Sequence, residues 1–259
     1  MIDTALDVAR EAGALLLERF GRLSGAEVSR KGPRDFVTAA DRDAEAHIVA
    51  RLREAFPDHA ILAEEGGRHD AAGAPTWIVD PLDGTTNFLH GIPVFAVSLG
   101  LVEAGRPVLG VVHAPALGQT FWGAPGQGAH EGDRPVSVSV TPMLSEALVA
   151  TGFAYAIDAV PDDNLDNLAR VAKVTRGLRR LGSAALDLAY VASGRFDAYW
   201  ELHLSPWDVA GGAALVLAAG GRVTDFRGGE DWLFGRHLVA SNGLVHEALR
   251  TSLSPLRGL

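Results

Sequence analysis

The chain of 259 residues contains no cysteine. Disulfides, thiolate nucleophiles and Cys-ligated zinc or iron–sulfur sites are therefore excluded. Lysine is nearly absent, with Lys31 and Lys173 accompanying many arginines. The formal net charge is −9, which argues against nucleic-acid binding through a basic surface. No apolar run approaches the ~20 residues of a membrane span. The start of the chain carries no basic-then-apolar signal. Ile2 to Phe20 instead reads as an amphipathic helix, with Asp3, Asp7, Arg10 and Glu11 in it. A cytoplasmic protein without membrane contact is expected. There is no Gly-x-x-x-x-Gly-Lys-[Ser/Thr] loop, Gly-x-Ser-x-Gly elbow or His-Glu-x-x-His pair. The nine histidines show no ligand spacing. His90 and His203 lie close to motif residues, and a structural or surface role is the simpler reading of each.

What the chain does contain is 47% hydrophobic residues, 30 glycines and 13 prolines, enough to bury a large core. Helical spacing predicts helices over 3–20 and 41–55, the second ended by Pro57. A strand is expected over 60–63 and a polar loop over 66–75. Residues 93–102 and 107–114 read as a hairpin turning through Glu103-Ala104-Gly105-Arg106. Short strands fit 119–123, 128–131 and 135–140. Beyond Pro142 the pattern becomes strand 147–151, helix 162–175, helix 183–193, strand 196–201, helix 206–219, strand 237–240 and helix 243–251. Layered sheets and helices in one unit are expected, with pseudo-halves at about 1–142 and 143–259.

Residues 77–89 are the most informative stretch. The apolar strand Trp77-Ile78-Val79 ends in Asp80, and Pro81, lacking a ladder N–H, is expected to stop it. Asp83 follows on the bend, and Gly84 to Asn87 read as the mouth of a helix or turn. Two carboxylates on a tight bend can converge on a hard divalent cation. N–H groups at a helix start favour phosphate. Three more acids share this context of strand ends and helix starts. Glu64 follows Ala60–Ala63, Asp41 follows Phe36-Val37-Thr38, and Asp208 follows Pro206-Trp207. Each alone has a plainer reading: a helix cap for Asp41 and Asp208, a solvated loop for Glu64, an Asx turn for Asp80 and Asp83. Converging at one sheet edge, four such carboxylates would repel unless cations sat between them. Thr85, if placed near Asp41, could orient a water and pass its proton to the carboxylate; its plain reading is a helix cap.

The motifs together resemble the inositol monophosphatase superfamily of Mg-dependent, lithium-sensitive phosphatases, over nearly the whole chain. Trp77-Ile-Val-Asp80-Pro-Leu-Asp83-Gly-Thr-Thr-Asn-Phe is similar to the first family signature. Pro206-Trp-Asp208-Val-Ala-Gly-Gly with Ala218-Ala-Gly-Gly is similar to the second. Ala63-Glu64-Glu65 and Asp35-Phe-Val-Thr-Ala-Ala-Asp41 match two shorter motifs in the expected order. Gly66 stands where Ser is more usual, and the segment around Lys31 is slightly short.

The resemblance implies an α/β fold, the layered α-β-α-β-α sandwich. It implies that Glu64, Asp80 and the Leu82 carbonyl hold one Mg2+, and that Asp80, Asp83 and Asp208 hold a second. A third, weaker ion would share Glu64. Mn2+ would be a possible substitute, and Li+ an inhibitor. Thr85, Asp41 and Glu64 would be catalytic. The backbone of Gly84 and Thr85 would hold phosphate oxygens. Gly182, Ser183 (where Thr is common), Ala184, Glu201 and Asp208 would line the substrate side, Glu201 accepting a hydroxyl hydrogen bond. Asn87-Phe88-Leu89-His90-Gly91 resembles the inositol phosphatase branch. The implied activity is hydrolysis of myo-inositol 1-phosphate or a related polyol or sugar phosphate, by a homodimer. Histidinol-phosphate or fructose-1,6-bisphosphate hydrolysis, and a regulatory role in transcription, are the alternatives.

Overall fold

The computed structural model describes residues 1–22, 28–30, 36–69 and 73–253. Asp35 and the segment around Lys31 lie outside the described residues. Helix α1 (Ile2–Arg19) buries Ala5, Leu6, Ala9, Ala12 and Leu16, the face that its sequence spacing predicts. Strands β1 (Val28–Arg30) and β2 (Phe36–Thr38) form a small antiparallel pair. Helix α2 (Ala39–Ala55) follows and packs on α1.

These two helices cover one face of an eight-stranded sheet. Its strands are β3 (Ala60–Ala63), β4 (Gly67–His69), β5 (Thr76–Asp83), β6 (Ala96–Glu103), β7 (Arg106–Ala114), β8 (Gln119–Ala124), β9 (Gly128–Glu131) and β10 (Arg134–Val136). They lie in the order β10-β9-β8-β7-β6-β5-β3-β4. Most neighbours run antiparallel, but β3 runs parallel to β5. Short helix α3 (Thr85–Leu89) leaves the end of β5. The second half contributes β11 (Leu148–Thr151), α4 (Leu165–Val171), β12 (Gly177–Arg179), α5 (Ala184–Ala192), β13 (Ala198–Leu202), α6 (Pro206–Ala218), β14 (Arg222–Thr224), β15 (His237–Ser241) and α7 (His246–Ser252). Its five strands lie in the order β12-β11-β13-β15-β14.

The layers are α1 and α2, the large sheet, α5 and α6, the small sheet, then α4 and α7. Strand periodicity builds them. Trp77 and Val79 of β5 face α1 and α2, while Ile78 joins the middle layer. In β13, Trp200 faces the outer helices and Tyr199 the middle layer. Each such buried side chain contributes about 1.5–3 kcal/mol. The fold class is the α/β layered sandwich expected.

Local differences have physical causes. Strand β5 does not stop at Pro81 but runs on to Asp83 through a bulge. The missing N–H falls in the bulge, where no ladder bond is needed. Residues 67–69 form β4 where a loop was expected. Helix α4 starts later than 162, because Asn164 adopts φ 68° at its start, and it ends at Val171 rather than 175. The three-residue strands β12 and β14 carry too little pattern to be seen in sequence.

Helix α6 lies against the large sheet through glycines. A Cβ on Gly100 of β6 would sit 2.7 Å from Ala210 C, and one on Gly211 would sit 2.6 Å from Ser98 Oγ. This close approach brings the start of α6, and Asp208, to the end of β5.

Candidate active site

The bulge decides where the two aspartates of the first motif point. Residues three apart on a regular strand face opposite sides. Here Asp80 lies opposite Ser98 and Asp83 opposite Ala96, so three steps on β5 match two on β6. Ser98 and Ala96 share a face of β6, and Asp80 and Asp83 therefore share one face of β5. That face is covered by α6. Parallel pairing of β3 with β5 sets Ala63 beside Val79, so the next residue, Glu64, arrives beside Asp80. The Glu64 N–H donates to Val79 O at 3.3 Å.

Glu64, Asp80, Asp83 and Asp208 line one cavity of about 330 Å3, with Leu82, Gly84, Thr85, Gly182, Ser183, Ala184 and Glu201. Asp80 is 2% exposed. Burial pushes its carboxyl well above the usual range, and the Glu64, Asp83 and Asp208 charges add to this. Asp80 Oδ1 accepts from Leu82 N at 2.9 Å. Burial raises Asp83 to about 6 against the bonds that favour its charge. Those bonds come from Ser183 Oγ (2.6 Å), Ala184 N (3.2 Å) and Ala185 N (2.8 Å), so Asp83 caps α5. Asp208 is also pushed well up by burial, opposed by the Ser205 N–H and reinforced by Asp83, Glu64 and Glu201.

Asp41 and Asp208 are not N-caps. Thr38 and Ser205 are the caps, and each aspartate is the third residue of a capping box. The Thr-x-x-Asp and Ser-x-x-Asp spacing was a readable signal for this. Asp41 is 1% exposed and lies behind the cavity lining. Its Oδ2 accepts from Thr38 N (2.9 Å) and Thr38 Oγ1 (2.5 Å). Its Oδ1 lies 3.2 Å from Thr85 Oγ1. Burial raises the Asp41 carboxyl, against the Thr38 bonds. The Thr85 hydroxyl also stands 3.1 Å from Leu82 O. Thr85 is the first residue of α3, and Gly84 is its cap at φ 94°. A Cβ on Gly84 would lie 2.9 Å from Val94 O.

The donor set is all oxygen, which suits Mg2+. Six carboxylates line the cavity, with Arg180 and Arg236 as the arginines among them. The mutual repulsion that raises Asp80 is what a divalent ion would relieve. Among the described residues no three Asp, Glu or His side chains already form a metal cage. Oxygens of Asp83 and Asp208 accept backbone N–H bonds instead. The residues thus fit the ion by the chemistry of their oxygens and by lining one cavity, without forming a ready-made cage.

Several lining residues escaped sequence reasoning. Gly152, Phe153 and Tyr155 come from the loop after β11. Tyr155 is 49% exposed, and desolvation with the Asp83 and Asp208 charges raises its phenol. Arg180, Asp187 and Arg236 complete the wall. Asp187 lies four residues after Ser183, one helical turn, which was legible. His203 lines the cavity and bonds Asp162 O at 2.9 Å, whereas His90 ends α3 away from the lining.

A model of the inositol monophosphatase family matches residues 1–256. The chain belongs to the inositol monophosphatase family. It is 45% identical to the Nus factor SuhB of Pseudomonas aeruginosa, over 98% of this chain and 96% of that protein. It is 43% identical to the inositol-1-monophosphatase of Mesorhizobium japonicum, over 96% and 94%. The Thermotoga maritima fructose-1,6-bisphosphatase/inositol-1-monophosphatase is 42% identical over 95% and 93%. Among solved structures, SuhB from Bartonella henselae superposes with a TM-score of 0.92 at 40% identity, covering 100% of this chain and 99% of that one. Inositol monophosphatase from Anabaena gives 0.89 at 41% identity, covering 99% and 97%. Among the described residues no helix of this family member is long and apolar enough to cross a membrane.

Proposed function

We propose that the chain is a Mg2+-dependent phosphomonoesterase that hydrolyses myo-inositol 1-phosphate or a related polyol phosphate. The observation that carries this reading is the convergence of Glu64, Asp80, Asp83 and Asp208 in one cavity beside the Thr85–Asp41 pair. In this reading Glu64, Asp80 and the Leu82 carbonyl would hold one ion, Asp80, Asp83 and Asp208 would hold a second, and Glu64 would share in a third; Mn2+ would be able to replace Mg2+, and Li+ would inhibit. Bound Mg2+ would supply Lewis acidity, lowering the pKa of a water and offsetting charge on the phosphoryl oxygens and leaving alkoxide.

The chain's own residues do the rest. Thr85 Oγ1 holds the attacking water, and the water's proton passes through that hydroxyl towards Asp41. The N–H groups of Gly84 and Thr85 bind phosphate oxygens. The P–O ester bond breaks as the P–OH bond forms, the departing alkoxide takes a proton from solvent water, and the proton held at Asp41 returns to solvent. Glu201 accepts a hydroxyl of the departing polyol, and Gly182, Ser183 and Ala184 line its path.

Phosphate release from inositol 1-phosphate, fructose 1,6-bisphosphate, histidinol phosphate and phenyl phosphate tests the reading. Inositol phosphate should be turned over best; no turnover of it would sink the first choice. Asp83→Asn should abolish release. The similarity to a Nus factor favours a second, regulatory reading in transcription. That reading gains if Asp83→Asn loses phosphatase activity but keeps the cellular phenotype. A homodimer is part of the proposal and is checked by light scattering.

A further inference from the structure

We infer that Gly152 is a specificity-determining position, because the Glu201 carboxylate occupies the space that a side chain at 152 would fill. The inference rests on the proposed hydroxyl-binding role of Glu201 and extends it to a residue with no polar side chain of its own.

Strands β11 and β13 run parallel, with Thr151 beside Trp200. The next residues, Gly152 and Glu201, are therefore lateral neighbours on one face. A Cβ built on Gly152 would overlap Oε1, Cδ and Oε2 of Glu201. Both residues line the cavity. Glu201 cannot simply swing aside at no cost, because the Tyr199 hydroxyl donates to its Oε2. Tyr199 is itself fully buried, two residues back on the same face of β13.

Nor can the backbone at 152 retreat freely. Gly152 O accepts from Asn164 Nδ2 at 2.8 Å, and the same nitrogen lies 3.0 Å from Thr151 Oγ1. Asn164 Oδ1 accepts from Trp200 Nε1 at 2.8 Å, and Thr151 Oγ1 donates to Trp200 O at 2.8 Å. This buried network clamps both strands where they meet the cavity. A side chain at 152 must displace the carboxylate, and the carboxylate is the acceptor that a polyol hydroxyl needs. Glycine at 152 thus selects substrates with a hydroxyl at that point. A larger residue selects against them.

The experiment compares Gly152→Ala with the unmodified protein on inositol 1-phosphate and on phenyl phosphate, which lacks the hydroxyls. KM for inositol 1-phosphate should rise at least tenfold more than KM for phenyl phosphate. In a Glu201→Ala background the clash partner is gone, so adding Gly152→Ala should change KM less than twofold. Tyr199→Phe, which removes only the hydroxyl that holds Glu201, should raise KM for inositol 1-phosphate more than KM for phenyl phosphate, as Gly152→Ala does. Equal losses on both substrates, or a full further loss in the Glu201→Ala background, would overturn the inference. A crystal structure of Gly152→Ala gives an independent readout: a displaced Glu201 carboxylate supports the inference, and an unmoved one refutes it. If the unmodified protein releases no phosphate from any ester, the functional reading falls, and that crystal structure still decides whether Gly152 sets Glu201.

Discussion

Thr85 Oγ1 stands 3.2 Å from Asp41 Oδ1, although the two residues belong to different helices and Asp41 does not reach the cavity wall. In the proposed mechanism the carboxylate acts on the cavity through the hydroxyl. Thr85→Val and Asp41→Asn should each lower kcat about 10²–10⁴-fold, the usual worth of a positioned acid–base group. KM should move little. The double variant should be scarcely worse than either single one, because the pair works as a unit. Steady-state kinetics on inositol 1-phosphate reads this out, and additive losses would contradict it.

Metal removal should couple to pH with a defined sign. Asp83 rises from its ordinary 3.8 to about 6 in the fold, and burial with the neighbouring charges also raises Asp80 well above 3.8. Between the unfolded and folded values the native state binds more protons. Metal-free stability therefore falls as pH rises through that window. A divalent ion offsets the repulsion only when the carboxylates are charged. The Tm gap between Mg2+-saturated and chelated protein should widen from pH 5 to pH 8. Asp80→Asn should shrink the gap and abolish activity together. A gap independent of pH would count against these ligands.

His246 should give the opposite pH dependence, at a place remote from the cavity. It is fully buried between Thr224 Oγ1 and Ser241 Oγ, each 2.9 Å from a ring nitrogen. Burial first, then the Arg222 charge, lowers its pKa from 6.5 to about 4. The unfolded chain takes up a proton below pH 6.5 that the fold refuses, so stability is lost as pH falls. The loss between pH 7 and pH 5 is about 2 kcal/mol. Urea unfolding of the Mg2+-saturated protein measures it. His246→Gln should start less stable at pH 7 and lose less on acidification, so that the two curves converge.

The seat of α6 on the large sheet should tolerate no added carbon. A Cβ on Gly110 of β7 would overlap Gly211 O and lie 2.9 Å from Ala214 Cβ. Gly110→Ala should cost about 1–3 kcal/mol or more, since backbone opposes it. It should also cut activity, because α6 carries Asp208 to the cavity. Val112→Ala, in the same strand and the same middle layer, should cost stability without moving α6. Circular dichroism melts with phosphate-release assays separate the two effects.

Much of this protein was readable from residue order alone. The acids and the layered α/β class needed no coordinates, because local patterning marks strands, helices and turns and the motifs resemble a known family. The long helices and strands also follow from local periodicity. Tertiary structure decided the rest. Pro81 reads locally as a strand stop, yet pairing with β6 turns it into a bulge that sets Asp80 and Asp83 on one face. Asp83 as the cap of α5 joins residues 100 positions apart, which no local pattern encodes. The place of Gly152 under Glu201 depends on parallel register between β11 and β13. Local preference acts within a few residues, whereas register, close helix approach and shared burial arise only when distant segments compete for the same space. That is why the sequence named the acids, and the packing of sheets and helices decided which way they face.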